Sequence, residues 1–572
     1  MKGFIRLIPV VTWGRTYDLQ TMRSDMVAAI VVLFITVPQS IAYALLAGMP
    51  PAAGLYAAIG GLICYGLFGT SRGLAVGPTA IVAMMSLEAV SGIAEAGSAD
   101  YASVALKLAL LTGAILILLR LVKFGSITSF LSHAVVTGFI TAAAVLIVTN
   151  QFPAILGLSA SPGTSLFDVV RHLLQSVGDI NPVTFGLSAL AMGILWYCKN
   201  LLQRQLEAMG INEKLAANLA RSAPMYAVAL TVLIVSVLHL DESSGVVVVG
   251  TIPTALPGFA ALIPTLDEIT LLFPSALLIA MVVFMESTAI GTSIASKTRS
   301  KLDSNQELIG LGMANVGSSL LGGFPVAGSF ARSIMTYSAG AVTPAASIIT
   351  AILVLATLIW FSPLFYSLPK GVLAAIIVMS ASQLIDFTAV KKIFSFNGID
   401  SITLSVTFIA VLSLGVESGI LVGIIISFIL LIRSSSRPHI AVVGRIEGSE
   451  HFRNVERYDV ITSPKVLAVR IDESLYFVNT RYIENFVLNT VADAKAVKHV
   501  LLICSSTNFI DTSGLELLED MSENLAEMGV VLHLAEVKGP VMDKLKNTAF
   551  YEKMKGKVYF TANVAMKELG GI

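Results

Sequence analysis

Long apolar runs separated by short polar loops fill residues 25–433 of the chain. A full bilayer crossing takes about 20 apolar residues, and fewer where the helix is broken. On that measure fourteen membrane segments are predicted, at 25–46, 52–69, 76–91, 102–121, 128–150, 182–200, 222–240, 274–295, 306–322, 329–340, 343–361, 371–386, 400–416 and 418–433. The third and tenth are the short ones. Each carries a break, 74–80 (LAVGPTA) and 324–332 (FPVAGSFAR), at matching places in the two halves. Both breaks read as a brief extended run that becomes a helix part-way across the bilayer, so two helix N-termini face one another near its middle. Such ends attract anions through free N–H groups and the positive end of the helix dipole.

Loop charges orient these segments, because Lys and Arg collect on the cytoplasmic side. With the N-terminus inside, the inner loops carry Arg72, then Arg120 and Lys123, then Lys199, Arg204, Lys214 and Arg221. Later inner loops hold Lys297, Arg299, Lys301, Lys391, Lys392, Arg433 and Arg437. The outer loops carry Asp100, Asp168, Asp179, Asp241, Glu242, Asp267 and Glu268, with Arg171 and Lys370 as exceptions. An odd number of segments in each half requires the two repeats to be inverted, which brings both breaks to one depth.

Composition agrees with a membrane body: 55% of residues are hydrophobic and only 13% charged, against about 25% charged in a soluble protein. The formal net charge of zero gives no electrostatic case for nucleic acid. Cys64, Cys198 and Cys504 have no metal-ligand spacing, so neither a disulfide framework nor a metal site is expected. Residues 1–24 carry Lys2, Arg6, Arg15 and Arg23 and read as a retained cytoplasmic lead-in rather than a signal peptide. The membrane transport domain is placed at 25–437 and a soluble domain at 438–572. In the latter, 465–477, 500–504 and 530–534 read as strands and 481–490 and 513–528 as amphipathic helices, which implies a small α/β domain.

Several side chains carry chemistry. Gly77 and Pro78 suit a strand-to-helix change, since Gly permits close backbone approach and Pro is tolerated in a first turn; Gly328, Ser329 and Phe330 repeat the design. Arg332 is a guanidinium in an apolar segment, where a lone charge costs from about 2.5 to more than 10 kcal/mol. It needs a partner, either a helix-stitching carboxylate or a bound anion. Glu286 sits mid-segment, and its protonation is set by desolvation against the charge of Arg332, hence by whether Arg332 holds substrate. A permanently paired structural carboxylate is the alternative. Two helix N-termini at about +0.5 each and Arg332 make about +2 with Glu286 neutral, which matches a dianion only when Glu286 is protonated. Gln39 and Tyr43 share one helix face and serve either substrate or helix-to-helix contact. Thr79 and Ala80, and Ser329 and Ala331, flank the two helix starts.

These residues resemble the SulP anion transporters, the solute carrier 26 group, with a C-terminal STAS domain. The resemblance rests on 37–44 (VPQSIAYA), on 69–72 (GTSR) followed by 77–80 (GPTA), on 286–292 (ESTAIGT), on 328–333 (GSFARS) and on 508–515 (NFIDTSGL), and it spans essentially the whole chain. It implies an α-helical polytopic membrane protein with 14 segments as a 7+7 inverted repeat, core and gate domains, elevator-like alternating access and usually a homodimer, plus a cytoplasmic α/β STAS domain. It places Arg332 at the border of the anion site and favours substrate contact for Gln39 and Tyr43. With the helix-break residues Gly77, Pro78, Thr79, Ala80, Ser329, Phe330 and Ala331 these are the expected substrate-binding residues, and Glu286, from its burial and the charge balance, is the expected proton-coupling residue. Many members have Ser where this chain has Ala331, which removes one hydroxyl contact. Thr512 matches a phosphorylatable Ser of anti-sigma antagonist STAS domains, beside Ser513, although Asp511 or Thr512 also suits a plain N-cap.

The expected function is proton-coupled symport of sulfate or a similar dianion. Sodium-driven bicarbonate uptake and proton-coupled dicarboxylate transport (fumarate or succinate) are the alternatives. Sodium-dependent bicarbonate carriers have Asp at the position of Glu286 and a hydroxyl residue where this chain has Ile290. A nucleobase transporter of the same fold would not need Arg332, and a non-transporting sensor signalling through the tail is the different class. An enzyme is disfavoured, because the seven histidines form no ligand pair and no Walker-type loop appears. No cofactor is expected. The expected partners are a small anion, a proton, the lipid bilayer, a second copy and a cytoplasmic STAS partner, in a plasma membrane (the inner membrane if bacterial) with both termini cytoplasmic.

Overall fold

Inside a bilayer a segment can satisfy its backbone only with itself, so apolar runs of this length become helices. The computed structural model describes residues 8–95, 98–126, 132–159, 165–252 and 263–570; Lys2 and Arg6 of the lead-in and the first residues, 128–131, of the predicted fifth segment lie outside them. Each predicted segment coincides with a helix: α1 Leu19–Leu46, α2 Pro51–Phe68, α3 Ala80–Ser91, α4 Ala99–Leu121, α5 His133–Leu156, α6 Pro182–Tyr197 and α7 Ala223–Leu238 in the first half. The second half holds α8 Leu266–Thr298, α9 Ser304–Leu321, α10 Phe330–Ser338, α11 Ala345–Trp360, α12 Lys370–Ala381, α13 Gly398–Leu414 and α14 Val416–Ser436. By length and composition alone, eight helices among the described residues can cross a membrane.

Ends that hydropathy misplaced are set by caps. The α1 helix starts at Leu19 rather than 25 because the Asp18 carboxylate accepts the Thr21 N–H at 2.8 Å. Likewise α8 starts eight residues before its expected start at Pro274, on a capping box between Thr265 and Glu268, and runs through that proline.

Two groups of helices emerge from the packing. In one, α9 lies against α2 and α4, and α11 against α1 and α2; in the other, α5 packs on α12 and α13, and α6 on α12. Small residues let these backbones touch. A Cβ built on Gly60 of α2 would stand 2.3 Å from the Gly317 carbonyl oxygen of α9, and one on Gly54 would stand 1.8 Å from the Ser40 carbonyl oxygen of α1. Before α3 and α10 the chain is extended as β1 (Val76–Gly77) and β2 (Ala327–Gly328), which pair antiparallel with Val76 opposite Gly328 and Gly77 opposite Ala327.

Contacts divide the chain into compact units 1–424 and 425–572. The second holds β3 Ile440–Arg445, β4 Phe452–Asn454, β5 Val466–Ile471, β6 His499–Ile503, β7 Val531–Ala535 and β8 Val558–Tyr559. These form one six-stranded sheet in the order β4-β3-β5-β6-β7-β8, parallel from β5 to β8. Helices α15 Thr480–Asp493, α16 Thr512–Glu527, α17 Gly539–Leu545, α18 Ala549–Lys553 and α19 Ala562–Glu568 accompany it. The strand expected at 465–477 ends at Ile471, because Asp472 turns aside to accept from Arg470 Nε at 2.6 Å and to meet His439 Nδ1 at 2.8 Å.

Neighbouring strands place His499 Nδ1 3.2 Å from His533 Nε2, while His533 Nδ1 accepts the Lys557 N–H at 3.0 Å. That bond fixes neutral His533 with its proton on Nε2. Burial, aided by His499 and Lys557, pushes its pKa down from 6.5 to about 4. Between those values the unfolded chain binds a proton that the folded one refuses, so the stability is present above pH ~6.5 and is lost as pH falls toward 4. Amide exchange in β6 and β7 is expected to lose protection between pH 7 and pH 5, and His533→Asn, which keeps an acceptor toward Lys557, to flatten that loss.

Candidate functional site

The β1/β2 pair is held in place by polar side chains from the surrounding helices. Asn315 of α9 brackets Val326, accepting its N–H at 2.9 Å and donating to its carbonyl at 3.0 Å, and Ser318 donates to the Phe324 carbonyl at 2.6 Å. Ser287 of α8 accepts the Gly328 N–H at 2.8 Å, and Ser333 of α10 accepts the Ala75 N–H at 2.9 Å. Between the breaks the Ser329 N–H donates to the Ala75 carbonyl at 3.0 Å. The amino ends of α3 and α10 are thereby fixed beside one another. Thr79 and Ser329 are their N-cap residues, yet neither hydroxyl caps its own helix. Side chains that would normally occupy the first N–H groups leave them uncapped.

Arg332 lies in the first turn of α10 and is only 1% exposed. Its Nη2 donates across the break to the Pro78 carbonyl at 2.5 Å, and its Nε has no protein partner. A Cβ on Gly77 would stand 3.1 Å from Nη1, so glycine gives the guanidinium its seat. Among the described residues Arg332 and Glu286 form no ion pair, although they lie within electrostatic range of each other and of the Tyr43 hydroxyl. The helix-stitching salt bridge weighed for Arg332 is therefore not made.

Other buried polar atoms without a protein partner share these elements: Glu286 Oε2, Thr79 Oγ1, Gln39 Oε1 and Ser40 Oγ. Gln39 Nε2 donates to Ser380 Oγ of α12 at 3.2 Å, and Ser380 is also within hydrogen-bonding reach of Tyr43. Such atoms are costly unless they meet water or a ligand. Two other membrane acids behave differently. Glu307 accepts from Tyr65 Oη at 2.7 Å and from Thr70 N at 2.9 Å and Thr70 Oγ1. Asp25 accepts from Val342 N at 2.7 Å and Thr343 Oγ1 at 2.6 Å, ahead of α11. In both, each carboxylate oxygen has a protein partner. Glu417 also keeps one unpartnered oxygen, but its other oxygen accepts from Ser275, three turns of α8 away from Glu286.

The structure thus gathers Gln39, Tyr43, Gly77, Pro78, Thr79, Glu286 and Arg332, with Ala80 and Ser329 buried at the two helix starts. Phe330 and Ala331, beside them, present exposed side chains. Sequence reasoning missed Ser287, Asn315, Ser333 and Ser380; a lone amide in the middle of the ninth apolar run was the available signal for Asn315. In the second unit, Asp511 caps α16 through the Gly514 N–H at 2.8 Å and also accepts the Phe477 N–H at 3.1 Å. The plain cap is thus Asp511, and Thr512 is the exposed first residue of the helix.

A family model described as the sulfate permease family matches residues 22–407, and a STAS domain model matches residues 457–565. The chain is 32% identical over 98% of its length to a probable sulfate transporter 4.2 of Arabidopsis thaliana, of which it covers 82%. To the high affinity sulfate transporter 1 of Stylosanthes hamata it is 30% identical, over 99% of this chain and 86% of that one. Its fold matches the murine solute carrier 26 family member A9 anion transporter with a TM-score of 0.90 at 22% identity, covering 100% of this chain and 95% of the other. It also matches the transmembrane domain of a cyanobacterium bicarbonate transporter, with a TM-score of 0.59 at 21% identity over 72% of this chain and 98% of that one.

Proposed function

We propose, from the premise that this chain belongs to the sulfate permease family and ends in a STAS domain, that it is a secondary active carrier of sulfate or a similar dianion, driven by a proton. The observation that carries this reading is the seat of Arg332: a buried guanidinium without a carboxylate partner, set between two half-helices whose amino ends are uncapped. Its charge and the two helix ends make a centre of about +2 for an anion whose oxygens take N–H donors directly. Thr79, Ser329, Gln39 and Tyr43 supply polar contacts around it; Gly77, Pro78, Ala80, Phe330 and Ala331 shape the two walls. Glu286 holds the proton, because a carboxylate left ionised beside the pocket subtracts one charge and mismatches a dianion. Transport follows by movement of the group containing α3 and α10 against the α5–α7 and α12–α14 group, in the manner of an elevator with both termini cytoplasmic. The STAS unit serves regulation or dimer contact, with Thr512, exposed, and Ser513, half-buried, as the positions offered to a cytoplasmic partner or to modification.

The test is sulfate flux in proteoliposomes. Uptake is expected to rise with an inwardly directed proton gradient and to be indifferent to sodium, while Glu286→Gln carries sulfate without responding to the gradient. Flux that ignores pH in both chains removes the proton. Competition by bicarbonate, fumarate and uracil decides the substrate class, and sodium-dependent bicarbonate flux alone would replace this reading by its nearest rival.

A further inference from the structure

Lys370 breaks two rules at once. It stands among the outer, acidic loops, against the tendency of basic residues to stay inside, and it is the first residue of α12, where a cation opposes the helix dipole. Among the described residues it forms no ion pair. Its backbone is fixed, since the Lys370 N–H donates to the Val247 carbonyl at 2.9 Å. Residues placed against local preference mark sites where function outweighs stability.

A cavity of about 590 Å³ opens beside it, between the end of α1, α5 and the start of α12. Among the described residues that line it, Lys370 is the only ionisable one, and none is an acid that could neutralise it. Asn150, Gln151, Ser159 and Thr184 add polar groups. Thr184 is 2% exposed and its Oγ1 has no protein partner. We infer that this cavity is an anion station on the outer face, in which Lys370 receives an oxyanion from solvent before it reaches the site between the half-helices. The acidic outer loops repel a dianion; a half-buried, unpaired ammonium lining a cleft raises its local concentration. The inference rests on the transport reading for the identity of the anion and for its onward passage to the site between the half-helices.

Two measurements test it. With Cys64, Cys198 and Cys504 replaced by Ala, Ser159→Cys gives a thiol in the cavity wall. Sulfate is expected to slow its reaction with an anionic methanethiosulfonate about fivefold or more, relative to chloride of equal ionic strength, and Lys370→Met is expected to abolish that protection. Separately, Lys370→Met in the native-cysteine chain is expected to raise the KM for external sulfate about fivefold or more, leaving the maximal rate and the KM from the inner face unchanged, with Lys370→Arg retaining the native values. Labelling that is indifferent to sulfate while Lys370 is present, or an unchanged external KM in Lys370→Met, overturns the station even if sulfate is carried. Protection by sulfate in a chain that carries none leaves the station standing and removes the transport reading instead.

Discussion

Arg332→Gln is expected to lower sulfate kcat/KM about 100-fold or more while the protein stays folded and at least as stable as the parent. Truncating one partner of a buried, charge-assisted contact costs about 2–5 kcal/mol, and each 1.4 kcal/mol is a factor of ten. The stability prediction runs the other way for a physical reason. The Arg332 guanidinium is desolvated, its Nε is unpartnered and its one observed bond goes to the neutral Pro78 carbonyl. Replacing a charge held so poorly by the protein relieves a desolvation cost that nothing in the fold offsets. Arg332→Lys is expected to fall between, since it keeps the charge and loses the planar fork that spans Pro78 and the pocket. Uptake rates and thermal unfolding of the same preparations read both quantities. Near-normal transport in Arg332→Gln, or its collapse as an unfolded chain, would mean that the arginine is structural.

The second large effect concerns assembly rather than ligand. Gly60→Val should leave little folded protein, because its Cβ would stand 2.3 Å from Gly317 O, 2.5 Å from Gly317 C and 2.7 Å from Ser318 N, all backbone atoms of α9. Side chains can rotate away from an intruder; a helix backbone has to move as a body. Overpacking costs about 1–3 kcal/mol where side chains yield, and a backbone clash belongs at or above the top of that range. The damage also reaches the site, since α9 carries Asn315 and Ser318, which hold β2 through Val326 and Phe324. Gly186→Ala in α6 is the control, as a Cβ there meets nothing within 4 Å. Size-exclusion profiles should show a monodisperse peak for Gly186→Ala and its loss for Gly60→Val; an intact peak for both would mean that α2 and α9 are not closely apposed at this crossing.

The helix positions were legible because bilayer crossing depends on local composition, which is present in every window of the sequence. The breaks were equally local: Gly77 with Pro78, and Gly328 with Ser329, announce a change of backbone without reference to anything distant. Caps were harder, since Asp18 and Thr265 lie before the apolar runs and extend α1 and α8 into polar sequence. In the tail, alternation located the central strands, but short edge strands such as Phe452–Asn454 and Val558–Tyr559 carry too few residues to show a period.

By itself the sequence determined that this is a polytopic membrane protein with two broken helices, a buried arginine and an α/β tail, because each of those depends on the chemistry of consecutive residues. Only the tertiary structure decided which groups meet: that Val76 faces Gly328, that Arg332 reaches Pro78 across 254 positions, and that Glu286 lies near the guanidinium without pairing to it. Those contacts join opposite halves of the chain. They are fixed by how closely helix backbones approach at residues such as Gly60 and Gly317, a distance that neither segment encodes alone.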